Sequence, residues 1–232
     1  MSFLAKNETA SFKWRVDFIK TYLERDIPNL GIQIPARTIH RFWSMLAHYH
    51  GQLLNASELG KSFGAADTTV KRYLDILSGT FLIRQIQPWY YNTKKRLIKS
   101  PKIYFRDSGL FHTLTHIENC AQLEMHPKLG ASWEGFALEQ TIGHFNLAEE
   151  DVYFWGVHTG AELDLVFQKR GKLWGVEVKY NESPTRTKSM LSAIEELSLE
   201  HLWVIYPGNA KYKIDKSITA VGLNNLHSLK IG

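Results

Sequence analysis

Apolar residues recur at three- and four-residue spacing through the first third of the chain, the period of helices with one buried face. Phe12, Val16, Ile19 and Leu23 predict a first helix, ended by Ile27-Pro28 because proline cannot continue the backbone ladder. Ile39, Phe42, Trp43, Leu46 and Tyr49 predict a second helix across Thr38–His50, with Gly51 as its C-terminal cap. A short helix is expected from about Ser57 to Gly64. After the turn Gly64-Ala65-Ala66, Asp67 is placed to cap another helix that runs to about Ser78. That helix buries Val70, Tyr73, Leu74 and Leu77 and leaves Thr68, Thr69, Lys71 and Arg72 outside. Two short helices joined by a tight turn, the second polar and basic on its outer face, match a helix-turn-helix.

The period then shortens. Leu82–Gln87 and Lys102–Phe105 read as partnered strands, and a β-hairpin after the second helix is the wing of a winged helix. Between them, residues 89–96 mix aromatic and basic side chains. In the second half, Lys128–Leu147 reads as a helix after His126-Pro127. Val152–Trp155, Leu163–Gln168 and Leu173–Lys179 read as strands, Ser189–Leu197 as a helix and His201–Tyr206 as a strand closed by Pro207-Gly208. That order implies a mixed sheet flanked by helices. The change of pattern falls near residues 115–127, which predicts domains over 1–120 and 121–232.

Composition excludes several classes. At 232 residues, 44% hydrophobic and 22% charged, the chain is neither disordered nor collagen-like. No apolar run of about 18 residues predicts a membrane span, and the start, Met1-Ser2-Phe3-Leu4-Ala5-Lys6, lacks the pattern of a secretory signal. One cysteine, Cys120, allows no internal disulfide, so a cytoplasmic location is expected.

Charge adds more. The net +5 hides a basic first part, with 17 Lys and Arg against 8 Asp and Glu over residues 1–110 (+9), and an acidic remainder, 11 against 15 (−4). Between Asp75 and Asp107 there is no acidic residue, while Arg84, Lys94, Lys95, Arg96, Lys99, Lys102 and Arg106 supply seven cations. This predicts a nucleic-acid partner, double-stranded DNA, met by Thr68, Thr69, Lys71 and Arg72 on the recognition helix and by Lys94, Lys95, Arg96 and Lys99 on the wing. Trp89, Tyr90 and Tyr91 either stack on bases or pack the wing onto its domain.

The candidate chemistry lies in the second half. Glu177 and Lys179 are two apart on a predicted strand and share a face, and Asp164 opens the preceding strand of the same hairpin. Three polar groups at one end of an apolar sheet suit phosphodiester hydrolysis. Asp164 and Glu177 are expected to hold Mg²⁺ through hard oxygen ligands, with the Val178 carbonyl available as a third. Lys179 would orient the attacking water and offset developing charge, and Glu134, on the helix before the sheet, adds a further carboxylate. Glu162 is expected on the same side as Asp164, as a spare ligand, and Glu139 as a surface carboxylate. Gly60-Lys61-Ser62 looks like the end of a phosphate loop, but Asn55 stands where the first glycine belongs, so no ATP site is expected. His112, His116 and Cys120 recur every four residues without an obvious fourth ligand, and read as structural instead of zinc-binding.

Asp164, Glu177-Val178-Lys179 and the upstream Glu134 resemble the pattern of the PD-(D/E)XK nuclease superfamily. Nearly the whole chain is similar to the C-terminal region of prokaryotic AAA-type P-loop ATPases, known as domain of unknown function 4143. The similarity runs through Tyr22–Asp26, Pro101–Leu110, His126–Phe136, Gly160–Phe167 and Val176–Lys179. It implies an α/β chain in which a helical winged-helix-turn-helix domain precedes a mixed-sheet, restriction-endonuclease-like domain, both normally behind an ATPase module that this sequence lacks. It also implies an ATPase module or another protein as a partner. One departure is Gly156-Val157, where relatives tend to carry an Arg-Thr pair.

Each motif has a plainer reading. Glu177 and Lys179 alone would be an ordinary solvated ion pair, and winged helices also bind proteins. Three functions therefore compete: a DNA-binding, Mg²⁺-dependent nuclease; a non-catalytic DNA- or protein-binding module of an ATPase; and a transcriptional regulator.

Overall fold

The structure is a computed structural model and describes residues 5–90, 98–158 and 160–231. The fold is mixed α/β, and the chain divides into two compact units. The first comprises Met1–Arg84 and Ile103–Ser132, the second Gln85–Lys102 and Trp133–Gly232. This differs from a division into 1–120 and 121–232, for a reason the topology supplies: the strand β2 (Ile83–Pro88) runs parallel to β4 (Tyr153–Gly156), with Gln87 opposite Tyr153 and Pro88 opposite Phe154. The expected wing strand is thereby built into the second unit's sheet.

The first unit is mostly helical. Helix α1 (Glu8–Thr21) starts at Asn7, whose side chain accepts the Ala10 N–H at 2.8 Å. It does not stop at Ile27-Pro28: a π-helical turn, Tyr22–Asp26, leads into α2 (Ile27–Asn29) with Pro28 in its first turn. Proline is tolerated there because the missing N–H would have no intrahelical partner. Ile19 and Leu23 are buried, whereas Val16 faces solvent.

Helix α3 (Ala36–Ala47) buries the expected Ile39, Phe42, Trp43 and Leu46; Tyr49 lies beyond its end and is half-buried. Its C-cap is His48, and Gly51 turns the chain at φ +72° before the two-residue strand β1 (Gln52–Leu53). Helix α4 (Ala56–Phe63) is capped by Asn55 and closed by Gly64 at φ 80°. Helix α5 (Asp67–Gly79) buries Val70, Tyr73, Leu74 and Leu77, but its N-cap is Ala66 and Asp67 is its first helical residue. Phe42 meets Phe63 and Tyr73 edge-on at 5.4 and 5.2 Å. Strand β3 (Lys102–Phe105) is a neighbour of both β1 and β2. Helices α6 (Ser108–Leu114) and α7 (Cys120–Glu124) complete the unit, and α8 (Leu129–Phe145) leads out of it.

In the second unit the strand order is β2-β4-β5-β6-β7-β9-β8, where β5 is Glu162–Lys169, β6 Lys172–Val178, β7 His201–Tyr206, β8 Lys211–Asp215 and β9 Ile218–Gly222. The β4-β5-β6 and β8-β9 pairings are antiparallel, and β6-β7-β9 are parallel. Successive residues of β7 point to opposite faces. Leu202 and Val204 pack with Met190, Ala193 and Leu197 of α9 (Lys188–Leu197). Trp203 instead stacks on Trp174 at 5.2 Å and on Phe145 of α8 at 5.2 Å. One helix thus covers each face. A register shift in the β4-β5 pairing places Trp155 opposite Leu163 but Tyr153 opposite Val166. The extra β5 residue lets Leu163 and Val166 join the same core beside α9.

Among the described residues, no helix is long and apolar enough to cross a membrane.

Candidate functional site

The β5-β6 hairpin turns at Arg170 and Gly171, both at positive φ (53° and 73°). Its register pairs Leu165 with Val176 and so carries Asp164 to the position across from Glu177. Both side chains are buried, at 5% and 4% exposure. Asp164 is anchored through Oδ2, which accepts the Val178 N–H at 2.9 Å. The Glu177 Oε1 pairs with Lys179 Nζ at 2.5 Å. Its other oxygen, Oε2, is buried with no hydrogen-bond partner.

A second cation completes the cluster. Lys102, the first residue of β3, points its ammonium at three carboxylates: Glu162 at 3.4 Å, Asp164 at 3.5 Å and Glu134 of α8 at 3.9 Å. The same ammonium lies 5.5 Å from the centre of the Phe154 ring. Glu134, Asp164, Glu177 and Lys179 are therefore gathered in one unit, with Glu162 beside them, while Glu139 takes no part in these ion pairs.

The electrostatics follow from burial and crowding. Burial first, and then the facing Asp164, raise the Glu177 carboxyl to about 8 against the opposing pull of Lys179 and Lys102. For Lys102 burial opposes the charge, but Asp164, Glu134 and Glu162 more than restore it, so its pKa lies above the ordinary lysine value. Lys179 is raised as well, with burial opposed chiefly by Glu177.

A metal ion here would meet hard carboxylate oxygens and the unpartnered Glu177 Oε2, a donor set suited to Mg²⁺. Asp164 and Glu177 would hold it, with Glu134 within the same cluster. Among the described residues, however, no three His, Cys, Asp or Glu side chains already stand as a metal-holding group. Glu134, Glu162 and Asp164 are instead disposed around the Lys102 ammonium.

Sequence reasoning counted Lys102 among the seven cations between Asp75 and Asp107 and missed this role. The signal was its setting. A lysine opening Lys102-Ile103-Tyr104-Phe105, a strand buried at every position, requires carboxylate partners.

The described members of the cation run do not all reach the surface. Arg84 and Lys102 are buried, and Arg106 lies over the Phe81 ring at 5.2 Å. Thr68, Lys71 and Arg72 are exposed on α5 and Thr69 is half-buried. Lys99 is exposed but belongs to the second unit, and Tyr91, Lys94, Lys95 and Arg96 lie outside the described residues. Trp89 packs edge-on against Tyr153 at 4.9 Å. Tyr90 is exposed, and its hydroxyl donates to the Lys99 carbonyl at 3.4 Å. His112, His116 and Cys120 do not line one helix: α6 ends at Leu114, His116 has φ +60°, and Cys120 begins α7. His112 instead bonds Ser132 at 2.7 Å. Gly60, Lys61 and Ser62 lie within α4.

Comparison with known proteins gives two consecutive family matches, over residues 1–121 and 129–226, whereas the two units interleave along the chain. Residues 129–226 match the family described as Domain of unknown function (DUF4143), so that likeness covers the second part of the chain and not nearly all of it. Tyr22–Asp26 and Pro101–Leu110 fall outside it. Two curated relatives, the uncharacterized protein Mb2031c of Mycobacterium bovis and the uncharacterized protein Rv2008c of Mycobacterium tuberculosis, are each 46% identical over 220 residues. These alignments cover 95% of this chain and 49% of each relative, so the chain spans about half the length of the curated relatives it matches. No solved structure matches. The first part, residues 1–121, is more than half of the sequence, and through it the chain belongs to the family described as Domain of unknown function (DUF8612).

Proposed function

We propose that the chain is a DNA-binding protein whose second unit carries a Mg²⁺-dependent, PD-(D/E)XK-like site for phosphodiester hydrolysis. The observation that carries this reading is the convergence of Asp164, Glu177 and Lys179 at one end of the β5-β6 hairpin, with Glu177 Oε2 buried and unpartnered. Unpaired buried carboxylate oxygen is costly, and a hard cation is what such an atom accepts. When bound, Mg²⁺ would polarise the phosphoryl group and lower the pKa of its water. Asp164, fixed by the Val178 N–H, keeps one oxygen turned toward the cluster. Lys179, about two-fifths exposed, reaches solvent while held by Glu177, which suits it to orient water and to neutralise charge on phosphate oxygens. The winged-helix reading of α4, α5 and the β2-β3 pair assigns Thr68, Lys71 and Arg72 to phosphate and base contact.

Incubating the protein with plasmid DNA and Mg²⁺ or Mn²⁺ tests the reading. Nicking or linearisation that disappears in Glu177→Ala supports it, and cleavage no greater than in that variant overturns it.

A second reading is favoured by Lys102, which already answers three carboxylates, and by the greater length of the relatives. In it the chain is a non-catalytic DNA- or protein-binding module, working with an AAA-type ATPase. It predicts DNA binding that falls steeply with salt and no metal-dependent cleavage.

A further inference from the structure

We propose that Lys102 is the built-in counter-ion of the carboxylate site, its ammonium holding the place a divalent cation needs, so that metal enters only when Lys102 withdraws. The inference rests on the metal-dependent reading above and adds the gate that controls it.

Three observations carry it. The ammonium is almost sealed from solvent, at 5% side-chain exposure, and lies 3.4 to 3.9 Å from Glu162, Asp164 and Glu134. Glu162 and Asp164 come from β5 and Glu134 from α8, and the three meet at this one ammonium. Next, no metal-holding group is ready-made among the described residues, as expected if the carboxylates are spaced for an ammonium. Ammonium–carboxylate contacts run near 3 Å, whereas Mg²⁺–oxygen distances are about 2.1 Å, so the same oxygens must draw inward around a metal. Finally, Glu177 Oε2 remains unanswered. Among the described residues the ion pair of Glu177 is with Lys179, on the other oxygen.

Two cations cannot share this space. A divalent ion a few ångströms from a buried ammonium meets strong repulsion in a low-dielectric setting. Lys102 therefore competes with metal through charge and through occupancy. Its ammonium lies over the Phe154 ring, so withdrawal gives up that contact and three ion pairs together.

The experiment is Mn²⁺ binding to the full chain by electron paramagnetic resonance and calorimetry, with the thermal midpoint measured with and without Mn²⁺. Wild type is compared with Lys102→Gln, Lys102→Arg and Glu177→Gln. Should Lys102→Gln fold poorly, Lys102→Gln/Glu162→Gln keeps the local charge balanced and reads the same competition. The expected result is Mn²⁺ affinity raised about tenfold or more by removing the ammonium, unchanged in Lys102→Arg and weakened in Glu177→Gln. Measurable binding that is equal or weaker without the Lys102 charge overturns the gate and leaves the metal-dependent reading standing. No Mn²⁺ binding by any variant overturns both.

Discussion

The ammonium of Lys102 lies 3.5 Å from the Asp164 carboxylate, and both side chains are more than nine-tenths withdrawn from water. Removing one partner from such a pair strands the other charge, whereas the pair itself adds little net stability. Lys102→Met is therefore expected to cost about 3–5 kcal/mol, the upper part of the range for a single substitution. Lys102→Arg, which keeps the charge in a bulkier head group, should cost less. Urea titrations at pH 7.5 without divalent ions check this, and a Lys102→Met midpoint equal to wild type would refute it.

Glu177 gives the opposite sign. Its carboxyl is raised to about 8, first by burial and then by the facing Asp164, so the folded chain holds the proton more tightly than the unfolded chain does. Its contribution is fully present below the ordinary carboxylate value and is lost as pH climbs from there through about 8. Glu177→Gln should be more stable than wild type by about 1–3 kcal/mol at pH 8.5 and gain little at pH 5. Thermal midpoints at the two pH values measure it. A stabilising substitution at a proposed reactive residue is the usual trade of stability for chemistry.

His50 predicts acid sensitivity in the first unit. The Phe105 N–H donates to His50 Nδ1 at 3.0 Å, so Nε2 carries the proton and donates to the Ala131 carbonyl at 3.0 Å. Burial holds its pKa down near 3, and burial likewise lowers His112 to about 4. Both stay neutral in the fold while the unfolded chain protonates them below the ordinary value of 6.5. Stability present above that value is thus lost as pH falls toward 4, at up to about 1.4 kcal/mol per pH unit per histidine. His50→Leu should reduce this slope but cost about 1–3 kcal/mol at pH 7.5, since the buried Phe105 N–H loses its acceptor. Unfolding followed by circular dichroism between pH 7.5 and 4.5 reads both effects.

How far the sequence alone led depends on the range of the interaction that decides each feature. The buried face of α5 follows from neighbours three or four residues apart and the β5-β6 hairpin from two runs of β-branched and aromatic residues, so the burial of Val70 and Tyr73 and the placing of Asp164 across from Glu177 were legible. Strands β8 and β9 were not foreseen. Lys211–Asp215 is a charged, mostly exposed edge, and Ile218–Gly222 is too short for periodicity to declare. The place of β2 depends on its pairing with Tyr153 and Phe154 far along the chain. Lys102 fails for the same reason. Its local sequence is basic, and only the fold reveals that its partners are Glu134, Glu162 and Asp164.

Two glycines of the second unit offer a graded test of its packing. A Cβ on Gly175 would come within 2.8 Å of Leu163 Cδ2 and Leu199 Cδ1, the ends of flexible side chains that can rotate away. A Cβ on Gly222 would come within 1.9 Å of the Gly208 carbonyl oxygen, which is backbone. Gly222 has φ −61°, so its conformation suits any residue and space alone decides. Gly175→Ala is expected to cost about 1–3 kcal/mol through overpacking. Gly222→Ala should exceed that, because the Gly208 segment must move and the Gly222 N–H bond to the Ala210 carbonyl, 2.8 Å, moves with it. Chemical denaturation of both variants ranks them. A Gly222→Ala protein as stable as Gly175→Ala would mean that the segment around Gly208 yields as easily as two leucine side chains.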